Sequence, residues 1–241
     1  LFGFVGREEL GERLARIGLG SARLSHALGE SFDPSALTLE LLPPGAEPIP
    51  VAQRLGHELP TNAAARTLVG TAHVDEAGHV VPGPMDFSEK NAVPLRELQD
   101  LLVAVVRPEL SELAPPKLSA RDRELLLATL ERLPSELRRD AASLDDLHKP
   151  IHRAITAELP QDRLRIYSKD GRAYGFLVDN AYVLDESTGR AMFVAVTLYA
   201  NENGRLNDDR YEYAALAEPF VTTLGRVLAR AFLASPPRDG R

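Results

Sequence analysis

The tripeptide Lys169–Asp170–Gly171 lies in the run "RIYSKDGRAYGFLVDNAYVLD" at 165–185 and is where this sequence comes nearest to chemistry. A lysine followed two residues later by glycine, at the start of a strand pair, can hold a substrate carboxylate. The ammonium supplies charge, and the bare glycine lets a ligand approach the backbone. The same letters have a plain structural reading, because Asp-Gly between two alternating runs is among the commonest hairpin turns. The surroundings have to decide between the two.

Other groups capable of chemistry carry less. His73 and His79 flank Asp75 and Glu76 in "HVDEAGH", a stretch that also reads as an exposed turn. His148 and His152 are four apart, but Pro150 between them spoils a regular helical turn. Neither group makes a convincing site of two histidines and a carboxylate, so no metal is expected, and no cofactor. His26 reads as a packing or hydrogen-bonding residue. The oxygen-rich "NENGRLNDD" at 201–209 lacks the spacing of an EF-hand, and Asn207 or Asp208 is expected to cap the helix that follows. There are no cysteines, which excludes disulfides, thiolate metal sites and a Cys nucleophile.

The elements that must position these residues follow from periodicity. Residues Arg7 to Ile17 read as a helix with Leu10, Leu14 and Ile17 on one face and Gly18 able to end it. From about 29 to 84 prolines punctuate an irregular insertion whose one strand-like piece is near Leu37–Leu42. A second helix starts at Pro94, with Leu95, Leu98, Leu102 and Val105 at helical spacing, and stops at Pro108. Ser119 with Asp122 resembles a capping box ahead of Leu125, Leu126, Leu130 and Leu133, all expected in the core.

Beyond Leu159 the period becomes two. Leu164 and Ile166 share a face, as do Tyr174, Phe176 and Val178, and Met192, Val194, Val196 and Leu198 form another face with Phe193 and Tyr199 opposite. Three strands with short connections make an antiparallel meander. A final helix over roughly 209–232 is expected to cover it through Tyr213, Leu216, Phe220, Leu224, Val227 and Ala231. The class is α+β, divided into a mostly helical region at 1–160 and a strand-plus-helix region at 161–241.

A net charge of −7 argues against nucleic acid and an anionic membrane surface as partners. No run of about 18 apolar residues occurs, so no membrane span is expected. Leu1 is not a start methionine and "LFGFVGREEL" opens inside a helical pattern, so the sequence is read as a fragment or a processed product.

"RIYSKDGRAYGFLVDNAYVLD" and "ANENGRLNDDRYEYAALAEPF" together resemble the C-terminal part of the class A β-lactamase-like serine hydrolases. "FVGREELGERLARIGLGSARLSHAL" and "PMDFSEKNAVPLRELQDLL" resemble helices and connector of that family's helical region. The resemblance implies the β-lactamase/transpeptidase-like fold and an acyl-serine intermediate formed on a peptidoglycan-type amide, a β-lactam or an ester. It implies that Lys169, Asp170 and Gly171 match the Lys-Thr-Gly motif of the cleft strand. Lys169 would then present the cation, Gly171 would let substrate lie flat, and the Arg172 amide would be one oxyanion donor. Asp170 stands where the family has a threonine that binds the substrate carboxylate, and an ionised Asp would repel that group. Tyr174 lies beside the cleft. Glu58, with Asn62, matches the spacing of the family's Glu-x-x-x-Asn, whose glutamate activates the deacylating water. No Ser-x-x-Lys is found: "SARL" at Ser21, "SHAL" at Ser25 and "SEKN" at Ser88 lack the lysine, and no Ser-Asp-Asn occurs. The nucleophile motifs are expected ahead of residue 1, leaving this chain inactive alone. The family works outside the cytoplasm, which implies a periplasmic or secreted location. The alternative is a non-catalytic descendant of the fold that binds a ligand or partner.

Overall fold

The computed structural model describes residues 5–26, 39–51, 67–114, 116–137 and 148–234. In chain order the elements are α1 (Arg7–Arg16), β1 (Leu39–Leu41), β2 (Ile49–Val51), β3 (Leu68–Val69), β4 (Ala72–Val74), β5 (Val80–Pro82) and β6 (Met85–Asp86). They continue with α2 (Leu95–Val106), α3 (Ala120–Glu131), α4 (Pro134–Leu137), α5 (Pro150–Thr156), β7 (Leu164–Ala173), β8 (Phe176–Asp185), β9 (Arg190–Tyr199), β10 (Arg205–Leu206) and α6 (Glu218–Leu228). The protein is mixed α+β. The irregular segment expected at about 29–84 carries more strand than its prolines suggest: β1 pairs with β2, β3 with β6, and β4 sits between β5 and β10.

The helices begin and end for local reasons. In α1, Glu8 and Glu9 occupy the first turn and Arg13 and Arg16 the last, which complements the helix dipole. Arg13 pairs with Glu9 at 2.6 Å and Arg16 with Glu12 at 2.8 Å. At the start of α3 the Asp122 amide donates to Ser119 Oγ at 3.1 Å, and the Ser119 hydroxyl donates to Asp122 Oδ2 at 2.7 Å. Pro150 opens α5 at its first turn, where its missing N–H costs nothing, instead of breaking a helix between His148 and His152.

The centre is the antiparallel sheet β7-β8-β9, paired ten residues to ten across both interfaces. Its two faces are covered by different helices. Ile166, Leu177, Ala181, Val183 and Val194 meet Ile151 and Ile155 of α5 and Val221 of α6. Tyr182 on the opposite face meets Leu102 and Val106 of α2, with Leu127 and Leu130 of α3 packed around it. Alternation along each strand therefore feeds two separate cores.

Of the two readings of Lys169–Asp170–Gly171, the hairpin turn falls: the tripeptide lies within β7, and the chain reverses at Tyr174 (φ 53°) and Gly175 (φ 83°). Three other expectations change. Two successive positive φ angles suit the right-handed twist of the flanking strands, so Tyr174 is a turn residue and not a strand partner of Phe176 and Val178. Leu125 and Leu126 are 66% and 39% exposed, because α3 turns Leu127 and Leu130 toward the sheet. Neither Asn207 nor Asp208 caps the last helix: the Asn207 side-chain amide donates to the Val74 carbonyl, and Asp208 accepts from the Arg210 amide.

The last helix, which helical turns at Tyr213–Ala217 and Ala229–Ala234 extend at its two ends, buries a different row from most of the expected stripe, although Tyr213 of that stripe packs against the core. Leu216, Phe220 and Val227 are more than half exposed, whereas Ala217, Val221, Gly225 and Ala229 are buried at four-residue spacing. Small side chains let α6 approach α5 closely: a Cβ at Gly225 would lie 2.6 Å from Ala154 Cβ. Gly225→Ala gains up to about 1 kcal/mol in helix propensity but overpacks this contact, which costs about 1–3 kcal/mol. Urea unfolding of Gly225→Ala should show net destabilisation, and adding Ala154→Gly should recover most of it. Stabilisation of the single variant by about 1 kcal/mol, the helix-propensity gain alone, would mean that the two helices are not in contact there.

Candidate functional site

Among the described residues β7 is an edge strand, and its alternation divides the candidate residues between its two faces. Lys169 and Gly171 belong with Tyr167 to the face shared with α2 and α3, whereas Ser168, Asp170 and Arg172 belong to the face shared with α5 and α6. Lys169 is exposed, and its Nζ donates to the carbonyl of Asp170. Its cross-strand partner Asn180 donates through Nδ2 to the Leu98 carbonyl of α2 at 2.9 Å, which fixes the helix beside this part of the sheet. A Cβ at Gly171 would meet nothing within 4 Å, so backbone next to the lysine is open to approach.

The other candidates go elsewhere. The guanidinium of Arg172 pairs with Glu218 at 2.9 Å and lies 5.7 Å from the Tyr213 ring centroid, so its side chain ties β7 to α6. Its proposed contribution is the backbone amide, in register with Leu177. Tyr174 sits in the turn, edge-on to Phe87 with centroids 5.1 Å apart, and Lys90 Nζ lies 5.7 Å from its ring. Glu58 lies outside the described residues.

Asp170 does not share the space of Lys169. It is buried, and its Oδ2 lies 2.8 Å from His148 Nδ1, which orients an imidazole that is itself partly exposed. Directly across the ladder is Asp179, which is fully buried. The Ile151 amide at the start of α5 donates to Asp179 Oδ2 at 2.8 Å. Beside them Lys149 is also buried, with a left-handed backbone (φ 48°), and its Nζ donates to the carbonyls of Leu130 at 2.7 Å and Arg132 at 2.5 Å. Lys149 thereby satisfies carbonyls at the C-terminal end of α3 with a cation, the charge that helix end favours.

Electrostatics follow burial. Desolvation pushes the Asp179 carboxyl up to about 6; the neighbouring Asp170 adds to this, while the Ile151 amide and Lys149 oppose it. Burial lowers the Lys149 ammonium from its usual range against the pull of Asp170 and Asp179. Chemically, the strand offers two things: an accessible ammonium beside open backbone on one face, and a carboxylate-oriented imidazole backed by a second carboxyl on the other. Among the described residues no three His, Asp or Glu side chains come together as a metal site needs.

Sequence reasoning weighed His148 as a metal ligand only and passed over Lys149 and Asp179. One signal was available for Asp179. In "FLVDNAYVLD" it falls in phase with Leu177, Ala181 and Val183, and an acid in phase with a buried row marks a carboxylate that needs a partner. No family model, curated protein or solved structure matches the chain.

A carboxyl whose pKa is raised on folding holds its proton more tightly in the folded state than in the unfolded one. Its stabilising effect is complete below the ordinary carboxyl range near pH 4 and is lost as pH climbs through about 6. Two pKa units correspond to about 3 kcal/mol. Denaturant titrations at pH 4.5 and 7.5 should show Asp179→Asn losing less stability than the wild type over this rise, by about 2 kcal/mol. Parallel pH curves for the two proteins would exclude Asp179 as the titrating group.

Proposed function

We propose that this chain supplies the cleft strand of a β-lactamase-like serine acyl-hydrolase, with Lys169 as its cation and Gly171 and the Arg172 amide along the substrate path. The observation that carries the reading is the place of Lys169–Asp170–Gly171: mid-strand in β7, which among the described residues pairs with β8 alone, with the ammonium exposed on the face that α2 and α3 cover. A Lys-x-Gly in a hairpin tip would stand in the turn, whereas here it lies within the strand, opposite Asn180, whose side chain donates to the Leu98 carbonyl of α2. A serine hydroxyl becomes a nucleophile when a neighbouring base takes its proton. A fixed cation nearby keeps that network correctly charged and draws in an anionic amide, β-lactam or ester.

The 241 residues contain no Ser-x-x-Lys, so this reading draws the nucleophile from outside them. A second reading, a non-catalytic ligand-binding member of the same fold, is favoured by Asp170, whose carboxylate is engaged by His148 on the far side of the strand.

Labelling separates the two readings. The protein joined to a Ser-x-x-Lys segment should be acylated or phosphonylated by a penicillin or fluorophosphonate probe, and the 241-residue chain alone should not. Lys169→Ala in the longer protein should slow labelling or turnover by about 10² or more, as expected for a group that stabilises transition-state charge. A folded longer protein that takes neither probe sinks the hydrolase reading, and a near-wild-type rate for Lys169→Ala removes the lysine from the site.

A further inference from the structure

The sheet is narrower than the helix layer on the face covered by α5 and α6. Helices packed side by side take about 10 Å each, and strands about 4.8 Å each. Two helices thus span about 20 Å over three strands spanning about 14 Å, an overhang of roughly one strand. α5 packs on β7 and β8, and the helical stretch Ala229–Ala234 that continues α6 packs on β9, so the overhang falls beyond β9.

The flanks of α6 agree. The flank toward α5 is charged: Glu218 pairs with Arg153 and Arg172, and Arg226 and Arg230 pair with Glu158. The flank away from α5 carries Leu216, Phe220 and Val227, exposed by 56%, 52% and 55%. The core opens in the same direction. Leu177, Ala181 and Val183 of the middle strand are fully buried, whereas Met192, Val196 and Leu198 of β9 are only partly so.

The β9 edge is also unguarded. Natural edge strands carry inward charges, proline or bulges that discourage pairing. Between Arg190 and Tyr199 there is no charged residue and no proline, and the register with β8 has no interruption. Among the described residues no strand pairs with its outer row of backbone groups.

We infer that the free edge of β9 and the apolar flank of α6 form one acceptor for a fourth strand, an extended segment of another polypeptide running antiparallel to β9. The segment is about ten residues long, with apolar side chains at alternate positions that fill the space beneath Phe220 and Val227. Charge sets its direction. Arg190, whose guanidinium donates to the Phe232 carbonyl at 3.4 Å, stands at the start of β9, and Glu202 and Glu212 stand beyond its end, where the Glu202 amide donates to the Glu212 carboxylate at 2.8 Å and the Glu212 amide to the Ala200 carbonyl. The incoming strand is therefore basic at its N-terminal end and acidic at its C-terminal end. This acceptor lies on the opposite edge of the sheet from Lys169 and does not rest on the hydrolase reading.

A fluorescent ten-residue peptide tests it: lysine first, aspartate last, threonine and valine alternating between them. Anisotropy should report binding, and hydrogen exchange should slow at alternate amides of β9 and not at β7. Phe220→Asp and Val227→Asp, at exposed positions that leave the fold intact by circular dichroism, should each weaken binding at least tenfold. A peptide of the same composition with its valines grouped together should not bind. Absence of binding, protection at β7 instead, or flank variants that bind as the wild type would overturn the inference. Self-association of the chain through β9 without peptide would assign the surface to a second copy and overturn the partner named here.

Discussion

A carboxylate in the middle strand of a buried sheet is costly unless something donates to it, and Asp179 meets part of that demand with the Ile151 amide, which donates to its Oδ2. The bond does two jobs. It satisfies a backbone N–H at the start of α5, which no residue within that helix can reach, and it pins the helix to a fixed point on β8. From that point the chain runs back through Lys149, whose ammonium closes the end of α3 on the opposite side of the sheet. Two helices in different layers are thus registered to one strand through adjacent residues. α6 then packs against α5 at Gly225, and Glu158 and Glu218 tie the outer rim with arginines. Removing the Asp179 anchor would loosen contacts on both faces, although the acid itself contributes little apolar packing.

The sheet was legible in the sequence because period two is a strong signal when each face is buried. The alternation of Met192, Val194, Val196 and Leu198 against Phe193 and Tyr199 is the arrangement found. What misled was size. Ranking α6 positions by hydrophobicity selects Leu216, Phe220 and Val227, yet the buried row is Ala217, Val221, Gly225 and Ala229. Close helix approach depends on what is absent from the interface, and a glycine gives no signal on a hydropathy scale. Leu125 and Leu126 illustrate the same limit in α3, where four adjacent apolar positions exceed what one face can bury.

The candidate site was legible in part, and the boundary is physical. Lys169 and Gly171 are two residues apart on a strand, so their sharing a face follows from the pleat alone. Partners that are close only because of tertiary structure were out of reach. His148 meets Asp170 across 22 positions because α5 begins where β8 offers Asp179. Nothing local to "HKPIHR" announces that geometry. Tyr174 was misplaced for a different reason: Asp170–Gly171 is a better turn signal than Tyr174–Gly175, and the ten-residue register with β8 overrode it.

Placing the tripeptide in a strand also decides what Asp170 can do electrostatically. In a turn, the ammonium and the carboxylate would share one space, and a ligand would meet a nearly neutral pair. In β7 they lie on opposite faces, and the carboxylate has its own partner in His148, with the buried Asp179 across the ladder. An anionic group lying along 169 and 171 therefore meets the ammonium and bare backbone, with the carboxylate behind the strand and paired. The expectation that Asp170 repels an acidic ligand placed its carboxylate where the family's threonine binds the substrate, and here that carboxylate lies on the other face of the strand, at His148. The chain's net negative charge does not reverse the local field, because exposed charges farther away than about 10 Å are largely screened at ordinary salt. The Lys169 ammonium and the Asp170 carboxylate are kept apart by the pleat alone, and that separation holds whichever chemistry the ligand brings.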